Sequence, residues 1–156
     1  AETELAPGRR EIIAPRAFAA RIDAGEDIHL LSGHAYEKPL ASRAAGTLTL
    51  TDTDAALLLE ARIDSGTSWA RDFLAAHASG LIRGLSPGFA VLPGGEKIES
   101  RGGDLLRTVT QAALFELSAV TVPAYPQAQI EARAWETHQD RQPVRGAVHP
   151  FNRWRA

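Results

Sequence analysis

An α+β fold dominated by β-structure is predicted for this chain: an antiparallel β-barrel or strongly curved sheet with flanking helices. Three observations predict it. Apolar and β-prone residues recur in short runs, the runs are separated by turn residues such as Asp52-Thr53-Asp54, Gly94-Gly95 and Gly102-Gly103, and only two or three stretches change to helical spacing. Hairpin-length connections fit parallel βαβ layers less well.

The elements follow in order. Arg10 to Pro15 is β-prone and stops at the proline, after which Phe18 and Ile22 lie one helical turn apart. Asp27 to Leu31 reads as a second strand that runs into Ser32-Gly33-His34, which puts His34 at a strand end or in the loop just beyond. Leu48 and Leu50 alternate with Thr47, Thr49 and Thr51, and Ala56 to Ile63 returns as the second arm of a hairpin. Between Thr67 and Ser79 the period becomes helical, with Trp69, Phe73 and Ala76 on one face and Gly80 where a C-terminal cap belongs. Phe89 to Leu92 is β-like, and Lys97 to Ser100 with Leu105 to Thr110 forms another hairpin. Ala112 to Val122 is apolar apart from Glu116 and Ser118 and is read as a buried strand ending at Pro123. Gln127 to Thr137 is expected to be a helix. Pro143, Gly146 and Pro150 then break any period.

Composition narrows the function classes. The chain has 156 residues, 44% of them hydrophobic, enough for one domain with its own core. With no cysteine, disulfides, thiolate metal sites and cysteine catalysis are excluded. The five histidines show no metal-ligand spacing, so no metal or other cofactor is expected. No apolar run reaches membrane-spanning length and Ala1 to Gly8 lacks a signal-peptide pattern, so a soluble, unexported chain is expected. The net charge of −2 argues against a nucleic-acid-binding surface, although five arginines beyond Ala132 make the end of the chain basic. That end, with Trp135, Phe151 and Trp154, is a solvated tail or a weak nucleic-acid contact.

The chemistry centres on Gly84-Leu85-Ser86-Pro87-Gly88-Phe89. Glycines flank the serine and Pro87 drives Ser86 toward an extended conformation, so a hydroxyl presented at a sharp bend is expected. A hydroxyl needs a base, and the base an orienting group. His34 and Glu116 are the candidates. Each also has a plain reading: Ser86 as a turn residue, His34 as a surface or packed histidine, Glu116 as the wet face of a half-exposed strand. By alternation, Leu114, Glu116, Ser118 and Val120 share one side of their strand.

The strings REIIAPRAF (10–18), DIHLLSGH followed by PLASRAAGTLTL (27–50), GLSPGF (84–89) and LFELSAVTVPAYPQA (114–128) together resemble the prohead, or head maturation, proteases of tailed phages and gene transfer agents. The resemblance covers residues 10–133, with 1–9 as an extension and 134–156 as a basic tail, and the order His, Ser, acid agrees with the family. It implies a serine endopeptidase with a fold similar to herpesvirus assemblin, a β-barrel surrounded by helices. Ser86 carries over as nucleophile, His34 as general base and acid, and Glu116 as the orienting acid, with no cofactor. Its implied substrate is the scaffold or N-terminal extension of a major capsid protein, cut inside the procapsid in the bacterial host cytoplasm. Self-cleavage in the tail, with Arg-Ala at 133–134 and 155–156 as candidate contexts, and a homodimer are further implications. Activity should fail at low pH, where His34 carries a proton.

Two departures qualify the match. The family often has Asn-His-Asp where this chain has Gly33-His34-Ala35, which motivates an alternative: an inactive capsid-assembly or scaffold-binding module of the same fold. Pro87 has no N–H for an oxyanion, which leaves Gly88 as the candidate donor.

Overall fold

A computed structural model describes residues 2–125, 129–132 and 141–147. Among them are β1 (Glu2–Ala6), β2 (Arg9–Ile13), α1 (Ala19–Asp23), β3 (His29–Ser32), β4 (Ala35–Ser42), β5 (Leu48–Asp52), β6 (Leu57–Asp64) and α2 (Ser68–Ala78). β7 (Gly84–Val91), β8 (Glu96–Arg101), β9 (Asp104–Val109), β10 (Ala112–Val120), β11 (Gln129–Ala132) and β12 (Arg141–Ala147) follow. The mainly-β α+β class predicted from the pattern is what the chain adopts.

Two sheets are built from these strands. The smaller has the order β1-β2-β9-β8 and the larger β4-β3-β10-β7-β11-β12-β6-β5. Most pairs are antiparallel, as hairpins require, but β2 with β9 and β3 with β10 are parallel, joining strands far apart in sequence. The expected barrel is not closed by hydrogen bonds: β4 and β5 are the edges of the larger sheet, and no ladder joins them among the described residues. Several hairpins agree with the sequence reading. At the tip between β8 and β9, Gly102 and Gly103 both have positive φ (58° and 95°), which a two-residue hairpin loop demands.

α2 has both of its expected ends. The Thr67 hydroxyl accepts the Ala70 N–H at its start. At its end Gly80 (φ +76°) donates to His77 O while Leu81 donates to Ala76 O, the paired bonds of a glycine C-cap. Phe73 turns the helix's apolar stripe into the core, where it joins Phe18, Ile22, Leu30, Leu85, Leu114 and Leu117.

The end of the chain departs from expectation. Gln129–Ala132, inside the stretch expected to be helical, is β11, because its backbone finds partners in β12 and at Gly84 of β7. Pairing overrides a helical spacing that rested on Ile130 and Ala134 alone. Residues 141–147, read as part of the tail, form β12 along β6 from Leu58 to Asp64, and neither Pro143 nor Gly146 ends it. The other residues of the expected helix and tail lie outside the described residues.

One polar cluster ties the smaller sheet to the segment that follows β10. Glu11 on β2 is 2% exposed and accepts from the Tyr125 hydroxyl and from Arg107 Nη1 at 3.1 Å. Burial, and then the bond to Glu11, push the Tyr125 phenol up from its ordinary pKa, so it remains a donor. Tyr125→Phe leaves one oxygen of a buried carboxylate short of a donor and is expected to cost about 1–3 kcal/mol. A lowered urea midpoint at unchanged slope is the measurement that checks it.

Candidate active site

β3 and β4 are joined by only two residues, Gly33 and His34, between the paired Ser32 and Ala35. Both have positive φ, 63° and 62°, the geometry of the tightest hairpin loops. Glycine enters that region freely and histidine does not, so His34 is a held conformation. Two bonds to β10 hold the loop: Gly33 N–H donates to Ala119 O at 2.9 Å and His34 N–H to Ser118 Oγ at 3.1 Å.

β10 lies between β3 and β7 and supplies the acid. Glu116 is 5% exposed, so it is not on a wet face. Its Oε1 lies 2.6 Å from His34 Nδ1, and its Oε2 accepts from the Ser118 hydroxyl. The imidazole itself remains about half exposed.

The expected alternation along β10 is overturned at one point. Against β7, Leu114 faces Phe89 and Glu116 faces Gly88, so Phe115 is the extra residue of a β-bulge. Before it Ala112 and Leu114 enter the core; after it Leu117 and Ala119 do. The parity switch sends Glu116 and Ser118 to the opposite face from Leu114. Arg21 on α1 stabilises the bulge, donating to Leu114 O at 2.9 Å with its guanidinium 4.9 Å from the Phe115 ring centre.

β7 carries Ser86, and here the bend expected from the Gly/Pro pattern is replaced by a strand. Gly84 to Val91 runs continuously along β10, with Ser86 opposite Ser118 and Gly88 opposite Glu116. Pro87 does make Ser86 extended; the glycines serve close packing instead of turning. A Cβ on Gly84 would lie 2.6 Å from Pro123 Cδ, and one on Gly88 would overlap the Glu116 carboxylate, 2.7 Å from its Cδ. Cross-strand partners share a face, so Ser86, Gly88, Glu116 and Ser118 form one polar and glycine patch.

The structure thus brings His34 and Glu116 into contact and sets Ser86 on the adjacent strand, 6% exposed, its hydroxyl making no hydrogen bond among the described residues. Ser118 was not singled out by sequence reasoning. Its signal was its position two residues beyond a strand carboxylate, on the same face. Among the described residues there is no cluster of side chains suited to a metal ion, and no helix is long and apolar enough to cross a membrane.

The family model described as caudovirus prohead serine protease matches residues 1–142. No curated protein and no solved structure matches the chain.

Proposed function

The chain belongs to the caudovirus prohead serine protease family, and on that premise we propose that it is a serine endopeptidase that cuts the scaffold or N-terminal extension of a major capsid protein inside the immature capsid, in the cytoplasm of a bacterial host. The observation that supports this best is the His34–Glu116 pair at 2.6 Å, facing the strand that carries Ser86. In this reading His34 Nε2 takes the Ser86 proton as Oγ attacks the scissile carbonyl. The imidazolium then returns the proton to the leaving amine, and a water repeats the sequence on the acyl-enzyme. Glu116 orients the ring through Nδ1 and stabilises its charged form. A Ser86–His34 hydrogen bond, which is not formed among the described residues, would form with substrate bound, since catalytic hydrogen bonds often close only in the complex.

Gly33 supports the same reading at a position where the chain departs from the family pattern. Asparagine and glycine are the residues most at ease at positive φ, so exchanging one for the other keeps the loop that presents His34. Pro87 cannot donate to an oxyanion, and the Gly88 N–H is the proposed donor. Self-cleavage within the basic end of the chain, and action as a homodimer, belong to the same proposal.

The test is mass spectrometry of the cognate major capsid protein co-expressed with this chain. Defined fragments with one new N-terminus are expected. A capsid protein that stays whole yet co-purifies with the chain would instead support an assembly or scaffold-binding module.

A further inference from the structure

We propose that Ser118 is a positioning residue whose single hydroxyl sets both the backbone of His34 and the protonation pattern of the His34–Glu116 pair. The inference deepens the reading of His34 as general base and rests on it.

Ser118 is 0% exposed, so its hydroxyl must find its partners inside the protein. A hydroxyl has one hydrogen to give and lone pairs to accept with. The His34 backbone N–H, 3.1 Å from Oγ, can only donate, so Ser118 accepts there. The hydroxyl hydrogen is left for Glu116 Oε2, its other partner. Were Glu116 protonated at Oε2, that proton would point at Oγ and the serine hydrogen would be buried with no acceptor. Ser118 therefore keeps Oε2 an acceptor, free of a proton and occupied. Oε1 remains for the imidazole and accepts Nδ1–H at 2.6 Å. A neutral imidazole with its proton on Nδ1 has its lone pair on Nε2, which is the tautomer a base needs.

The same contact acts on the loop. His34 sits at φ +62°, and its N–H is held by Ser118 rather than by the hairpin alone. One hydroxyl thus anchors the histidine backbone and aims the carboxylate that meets its ring. Ser118 is not a rival to Ser86 as nucleophile, because its hydrogen is given to Glu116, one lone pair takes the His34 N–H and it is sealed from solvent, whereas the Ser86 hydroxyl is unengaged among the described residues.

The experiment combines covalent labelling by a fluorophosphonate with nitrogen NMR of the histidine rings. In the wild-type chain the probe is expected on Ser86, and the His34 ring is expected to show a protonated Nδ1 and a bare Nε2. Ser118→Ala should slow labelling roughly 10- to 100-fold, by analogy with the loss of an outer partner of a metal-binding histidine. It should also displace the acid limb of the pH profile and erase the Nδ1–H preference; Ser118→Thr, which keeps a hydroxyl, should recover both. A folded Ser118→Ala protein with unchanged rate, profile and tautomer would overturn the proposal. Should that variant not fold, the wild-type spectrum decides alone: a His34 ring protonated on Nε2 overturns it. Wild-type protein that shows the Nδ1–H tautomer but takes no label at Ser86 would fail the protease reading and leave the positioning role standing.

Discussion

Ser86→Ala is expected to leave a co-expressed capsid protein at full length while the variant itself folds like the wild type. Removing Oγ removes the atom that forms the acyl bond, and what remains of a hydrolase site without its nucleophile is its capacity to bind and polarise substrate. The loss should be at least about 10³-fold in the rate of cleavage. His34→Ala should match it, because members of such a unit do not act additively. The structural cost should be small. Ser86 is 6% exposed, and its hydroxyl makes no hydrogen bond among the described residues, so alanine leaves no buried donor unpaired. An intact-mass comparison, paired with a thermal midpoint within a few degrees of wild type, checks both halves. Fragments persisting in Ser86→Ala would place the nucleophile elsewhere.

Gly88→Ala should be nearly as damaging for a different reason. The added methyl would overlap Glu116 Oε1, the oxygen that meets His34 Nδ1. β7 cannot simply retreat, because its register with β10 is fixed on both sides of the contact, by Phe89 against Leu114 and by Pro87 against Leu117. Either the carboxylate swings away from the histidine or the strands part. The first outcome resembles loss of the orienting acid and should reduce cleavage by roughly 10³- to 10⁴-fold; the second should destabilise by about 1–3 kcal/mol through overpacking. Gly94→Ala is the control. Gly94 has φ +72° with nothing within 4 Å of the added methyl, so the change should cost about 1 kcal/mol of stability and leave cleavage intact. Equal behaviour of the two variants would show that strain, not the carboxylate, was at issue.

Much of the fold was legible because its signals are local. Thr67 and Gly80 bracket α2, alternating Leu48 and Leu50 mark a hairpin arm, and Gly102-Gly103 marks a tip. The family strings went further: they singled out His34 and Glu116, which meet, and Ser86, which lies on the neighbouring strand. What escaped the sequence was long-range. The bulge at Phe115 changes strand parity, and nothing beside Phe115 announces it; Arg21, which supports it, comes from a helix near the start of the chain. Gly84 and Gly88 looked like turn residues because glycine is ambiguous between bending a chain and letting another approach it. Only the neighbours, Pro123 and Glu116, decide between the two uses. The residues 129–132 became a strand for the same kind of reason, since their partners lie on β7 and β12.

The placement of β10 between β3 and β7 also bears on timing. His34 and Glu116 are separated by 82 positions, and the His34 loop is held by Ala119 and Ser118 of that same late strand. A chain emerging from the ribosome can form its early hairpins, but it has no imidazole–carboxylate pair until β10 has been synthesised and placed between β7 and the much earlier β3. Such distant pairing is among the slower steps of folding, since the entropy of closing the intervening loop is lost before the ladder compensates. Copies that have not yet made β10 or placed it between β3 and β7 therefore lack the proposed catalytic base in working form, and the proposed peptidase cannot act before that step.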